Sequence, residues 1–187
     1  MPSLVTNSKI WGEMFGTEKM QNNFSDEATI QFYLDVESAL ARAQSKLKII
    51  PKEAGIKITE ASNLSWLNWE TLKKRTQIVG YPILPLVEQL SLSVEDGYGQ
   101  YCHWGATTQD IMDTADVLQI RKGLDLLSND LNAIALALAN IVKKYKDTPM
   151  AGRTHLQHAL PIPFGYKAAT WLSSIDRHIK RLEEIKS

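Results

Sequence analysis

Nothing in this chain is in marked excess, and its shortages narrow the function before any motif is read. One cysteine, Cys102, stands among 187 residues, so no intramolecular disulfide can form, as befits a reducing compartment. Neither charge dominates: 21 Lys and Arg balance 21 Asp and Glu. A basic field able to hold a phosphate backbone is lacking, which excludes nucleic acid as the expected partner. No long charge-free apolar run is present, and Met1 to Ile10 lacks a basic-then-apolar leader pattern. A cytoplasmic protein without a membrane span is the expectation. What remains is 44% hydrophobic and 22% charged, the profile of an ordinary globular chain long enough for one or two domains.

Almost every periodic segment reads as helix. Ser25 is a good N-cap with Asp26 and Glu27 behind it, and Ile30, Tyr33, Leu34, Leu40, Ala41 and Leu47 form one apolar face up to about Lys48. Glu37 falls inside that stripe and needs either a partner or an edge position; the rarity of buried carboxylates favours the edge. Pro51 opens a second helix to about Ala61. A third spans Trp69 to Ile78 and stops at Gly80, and Pro82 and Pro85 bracket the start of a fourth. Asp96-Gly97-Tyr98-Gly99-Gln100 then breaks the pattern, and a domain boundary is expected near it, between 1–104 and 105–187.

The strongest periodicity follows. Val117, Ile120, Leu124, Leu127, Leu131, Ile134, Leu138, Ile141 and Tyr145 recur in steps of three and four, a heptad seam that faces another helix. Ala133, Leu136, Ala137 and Val142 widen it toward a multi-helix bundle. A helix from Thr108 to Tyr145 would be on the order of 55 Å long, more typical of oligomers built on a shared bundle than of small domains. A loop from Gly152 to His158 leads to a last helix from about Pro163. That helix reaches Ser187 without a Gly or Pro stop signal, which reads most simply as a chain cut inside a helix.

Two loops could carry chemistry. Cys102 to Asp110 runs into the start of the long helix, where free backbone N–H groups and the positive dipole end favour an anion. Thr107, Thr108 and Gln109 add neutral donors, and Gly105 allows close approach. The plainer alternative is capping, with Thr108 as N-cap and Asp110 in the first turn. In the second loop Arg153 can pair with a carboxylate, Thr154 and Gln157 can donate, and His155 is of the residue type that moves protons; the plainer alternative is a polar turn. His155 and His158 lie three apart, but no carboxylate or cysteine completes a metal site locally, so no metal is expected. Cys102 beside His103 is a small semi-buried filler, because adjacent side chains diverge. The five tryptophans read as packing residues.

His103-Trp104-Gly105-Ala106-Thr107-Thr108-Gln109-Asp110 resembles the first signature of the fumarase/aspartase superfamily. It has the form found in adenylosuccinate lyases and 3-carboxy-cis,cis-muconate cycloisomerases. Gly152-Arg153-Thr154-His155-Leu156-Gln157-His158-Ala159-Leu160-Pro161 resembles the second. Phe24 to Ala28 and Val79 to Val87 match as well, so the likeness covers nearly the whole chain. It implies an all-α fold, an N-terminal helical domain followed by the first long helices of a central bundle, in a homotetramer without a cofactor. The implied reaction abstracts a proton next to a carboxylate of a small polycarboxylate, with β-elimination or addition. Charge building on that carboxylate must be met by preorganised donors, a role that suits Thr107, Thr108 and Gln109. By the same likeness His155 is the general acid, His103 a second histidine that helps hold substrate, and Thr154 and Gln157 carboxylate ligands.

Two departures stand out. The third signature, a loop carrying a serine base, is absent, so this chain alone is expected to be inactive. Gln21 stands where family members often carry arginine, which weakens adenylosuccinate as the substrate. Ala106 to Asp110 and His158 to Pro161 lean toward the cycloisomerase type. A non-catalytic helical co-assembly partner is the reading from a different class.

Overall fold

The structure, a computed structural model, describes residues 5–186; the first residues of the Met1–Ile10 stretch and the helix end at Ser187 lie outside the described residues. Eight α-helices and one hairpin are seen among them: α1 (Gly12–Phe15), α2 (Glu18–Asn23), α3 (Asp26–Lys46), α4 (Lys52–Ala61), α5 (Trp69–Val79), α6 (Ile83–Ser93), α7 (Thr108–Lys144), β1 (Pro149–Thr154), β2 (Gln157–Pro163) and α8 (Phe164–Lys186). The all-α expectation holds, with the hairpin as its one exception.

Helix starts and stops follow local chemistry. The Ser25 hydroxyl accepts the Ala28 N–H at 3.1 Å, and Pro51 and Pro82 precede α4 and α6. Helix α5 ends because Gly80 enters the left-handed region at φ 94°, where a Cβ would be strained. Leu47 lies past the end of α3 and is exposed, so the apolar face of that helix stops earlier than its periodicity predicts.

The chain divides into two compact units, Met1–Ile120 and Arg121–Ser187. The core lies in the first. Leu34 of α3, Ile58 of α4, Leu86 and Leu90 of α6 and Ile111 of α7 are all buried there, each side chain stabilising the fold by roughly 1.5–3 kcal/mol. Ile111, Ala115 and Gln119 are buried at four-residue spacing, so the first three turns of α7 belong to this core. A reciprocal amide pair fastens the last of those turns. Asn23 Nδ2 donates to Gln119 O at 3.0 Å, and Gln119 Nε2 donates to Asn23 O at 2.7 Å and to Thr29 Oγ1 at 3.1 Å. Val117 and Ile120, which open the heptad seam, lie on a different face and are more than half exposed.

In the second unit Ala168 is the fully buried apolar side chain among the described residues. Helix α8 follows the hairpin directly, with Gly165 N donating to Tyr145 O at 2.9 Å. A Cβ on Gly165 would meet Lys146 Cα at 2.7 Å, so only glycine fits that approach. The stretch from Gly152 to His158, expected as a loop, is the tip of an antiparallel hairpin. Thr154 pairs with Gln157, Arg153 with His158 and Met150 with Ile162, around an irregularity between Ala151 and Arg153. Gly152 sits at that bulge, against Leu160 O. With prolines at 149, 161 and 163 and no apolar alternation, the segment carries none of the usual strand signals.

Candidate functional site

In the first unit the segment from His103 to Asp110 is built by backbone that only a special sequence tolerates. His103 and Gly105 both lie in the left-handed region, at φ 55° and 71°. Glycine takes that conformation freely, whereas histidine is strained there. The Trp104 carbonyl accepts the Gln44 side-chain amide at 2.6 Å, and its ring lies 6.0 Å from that of Tyr101. These contacts anchor the turn to α3 and to the segment before it.

The expected donors then appear where α7 begins. Thr107 and Gln109 are exposed and Thr108 is half-buried, so none is enclosed by apolar side chains. The cap falls one residue earlier than expected: Asp110 Oδ2 accepts the Thr107 N–H at 2.9 Å, which makes Thr107 rather than Thr108 the residue before the first turn. Gln109 Nε2 donates to Asp113 Oδ1 at 2.5 Å. Asp110 thus already places one carboxylate at the positive helix end, and a substrate carboxylate there would share it with Asp110.

His103 is half-buried. Its Nδ1 lies 2.5 Å from Glu37 Oε1, with the two side chains 20% and 1% exposed. Glu37 is therefore not at the edge of its helix face; it is interior and has a partner 66 positions away, a pairing with no local sequence signal. The hydrogen bond to Glu37 raises the pKa of His103 above its ordinary value, assisted by the charges of Glu37 and Asp110 and opposed by burial. Burial pushes the neighbouring Cys102 thiol up to about 11. That agrees with a filler role, since the thiolate is the reactive form.

In the second unit the residues expected at the second loop cluster at the hairpin tip. His155 and Leu156 form its two-residue turn, Leu156 at φ 58° and 92% exposed. Directly opposed residues of a hairpin share a face and successive ones alternate. Thr154 and Gln157 therefore share one face, and Arg153 joins His158 on the other. All five polar side chains from Arg153 to His158 are exposed. An open groove of about 640 Å³ runs along Arg153, Thr154, Leu156, Gln157 and His158.

Gln21, the departure from the usual arginine, donates its amide to Gly12 O at 3.1 Å. A separate groove of about 470 Å³ lies among Tyr33, Trp69, Lys73 and Gln77 of the first unit and includes none of the expected site residues. Among the described residues no group of three or more His, Cys, Asp or Glu gathers as metal ligands, and no helix is long and apolar enough to cross a membrane.

Comparison with known proteins gives the family of the chain. A fumarate lyase from Mesorhizobium sp. BNC1 is 56% identical, with TM-score 0.85, over 91% of this chain and 40% of its own. The 3-carboxy-cis,cis-muconate lactonizing enzyme from Pseudomonas putida is 37% identical, with TM-score 0.91, over 96% of this chain and 41% of its own. Trans-aconitate decarboxylase 1 of Mycosarcoma maydis is 41% identical over 186 residues, which is 100% of this chain and 38% of that protein. The chain thus spans about two-fifths of the length of the relatives it matches. The family model described as "Lyase" matches residues 13–187, and the chain belongs to that family, within the fumarase/aspartase superfamily.

Proposed function

We propose that this chain contributes two carboxylate-handling segments to a cytoplasmic, homotetrameric lyase acting on a small polycarboxylate, of the 3-carboxy-cis,cis-muconate cycloisomerase type. The observation that carries the reading is the turn from His103 to Gln109. It combines strained backbone, a histidine committed to a buried carboxylate, and exposed Thr107 and Gln109 at the start of a 37-residue helix. In the reaction, a proton leaves the carbon next to a carboxylate, whose oxygens gain charge as the carbanion delocalises into it. Thr107, Thr108, Gln109 and the helix-start amides stabilise that charge, because their dipoles are already oriented before it develops. Thr154 and Gln157, on one face of the hairpin, hold a further carboxylate, and Arg153 pairs with one from the other face. In the elimination direction the bond from the β carbon to its leaving group breaks and His155 gives that group its proton; in lactonisation the sequence reverses, a carboxylate oxygen adding at the β carbon and the α carbon taking up the proton. The base comes from a segment outside residues 1–187.

Turnover tests this directly. In a complete enzyme containing this chain, muconate lactonisation is the expected activity, and His155→Ala and Thr107→Val each lower kcat by about a hundredfold or more. Fumarate release from adenylosuccinate would keep the elimination chemistry and replace the substrate, whereas loss of carbon dioxide from trans-aconitate would replace proton abstraction by cleavage of a carbon–carbon bond. Full activity in both variants would sink the catalytic reading and leave the chain as a helical co-assembly partner.

A further inference from the structure

Glu37 is the least expected charge in the first unit. Its side chain is 1% exposed, and Leu34, Val36 and Ala41 around it on α3 belong to the apolar core. A buried carboxylate is retained at a cost, which only close pairing offsets. Its Oε2 has no hydrogen-bond partner, so Glu37 is not the centre of a polar network; its one described bond goes to His103 Nδ1. His103 in turn holds a left-handed backbone that its Cβ disfavours. A buried carboxylate with one unpartnered oxygen and a strained backbone thus meet in one pair, four positions before the exposed Thr107.

We propose that Glu37 is a positioning residue for the carboxylate site: it takes the Nδ1–H of His103 and so presents the opposite ring nitrogen, Nε2, to a substrate carboxylate at the start of α7. This rests on the function proposed above. With Nδ1 committed, the ring is no longer free to exchange tautomers. Nε2 has no partner among the described residues, and the protonated ring offers a second N–H there. The charged groups acting on the ring are both acidic, Glu37 from α3 and Asp110 from α7, so each favours the cation that an anionic substrate requires. Cys102 beside it stays a neutral thiol.

Glu37→Gln tests the role, because an amide oxygen can still accept the Nδ1–H while the charge is gone. Histidine-labelled 15N NMR of the 187-residue chain should show the His103 titration midpoint move down in Glu37→Gln. In a complete enzyme the KM for polycarboxylate should rise about tenfold at pH 8, the loss of one charge-assisted hydrogen bond. It should recover as pH falls and the ring regains its proton, with kcat little changed. In a His103→Gln background, Glu37→Gln should add nothing to KM. An unmoved midpoint, a pH-independent KM defect, or an additive loss in the double variant would overturn the proposal. If Glu37→Gln does not fold, the wild-type spectrum decides: neutral His103 should carry its proton on Nδ1, and a proton mainly on Nε2 overturns the proposal. An enzyme with no activity on any polycarboxylate would sink the function while leaving the NMR result to judge the pair.

Discussion

At the scale of single residues, the pair of His103 and Glu37 makes stability depend on pH. The folded pKa of His103 is raised, chiefly by its hydrogen bond to Glu37. The stability it contributes is therefore fully present below the unfolded value, near 6.5, and is lost as pH rises through the folded value. Urea midpoints of the chain should fall across that window, and His103→Gln should flatten the slope. Cys102 makes the opposite kind of prediction, one of inertness. With its thiol at about 11, iodoacetamide at pH 8 should alkylate it roughly a hundredfold more slowly than an ordinary cysteine, a rate that mass spectrometry can follow. The inert thiol was legible from the sequence, because adjacency to His103 gives poor geometry for activation. The pairing of Glu37 was not: the rarity of buried carboxylates pointed to an edge, and its partner lies 66 residues on.

At the scale of elements, the hairpin is the most sensitive piece. A Cβ on Gly152 would stand 2.5 Å from Leu160 O, a backbone atom that cannot turn aside. Gly152→Ala should destabilise the hairpin by about 1–3 kcal/mol, seen as faster hydrogen exchange across residues 149–163 while the amides of α3 and α6 keep their protection. Helix boundaries were the most legible elements, because the chemistry that sets them is local: Ser25 caps α3, Gly80 ends α5, and prolines open α4 and α6. The hairpin was not legible. Its three prolines and exposed polar tip read as a turn, and only the two-residue connection at His155 and Leu156 together with the Gly152 bulge defines its register. The shift of the cap from Thr108 to Thr107 has a similar origin. Two adjacent threonines are equivalent in sequence, and the choice falls to the reach of Asp110. Asn23 and Gln119 are beyond any local rule, being 96 residues apart.

At the scale of the molecule, apolar surface is distributed unevenly. The buried cluster lies within the first unit, whereas Leu127, Ile134 and Leu136 on α7 and Trp171 and Ile185 on α8 are exposed in the second. Exposed apolar surface on that scale favours association. The 187-residue chain should sediment above the mass of a monomer, and Leu127→Lys with Ile134→Lys should return it toward monomer without loss of helical circular dichroism. The heptad seam was readable from its spacing, but the spacing could not show that the core claims a different face of the same helix, through Ile111, Ala115 and Gln119. Helix α7 runs without interruption through the division after Ile120, and this sets a rule for changes in length. One residue inserted just past Ile120 would rotate every later side chain of the helix by about 100° and leave the packing before it untouched. Seven inserted residues would return those side chains nearly to their original azimuth about the axis of α7.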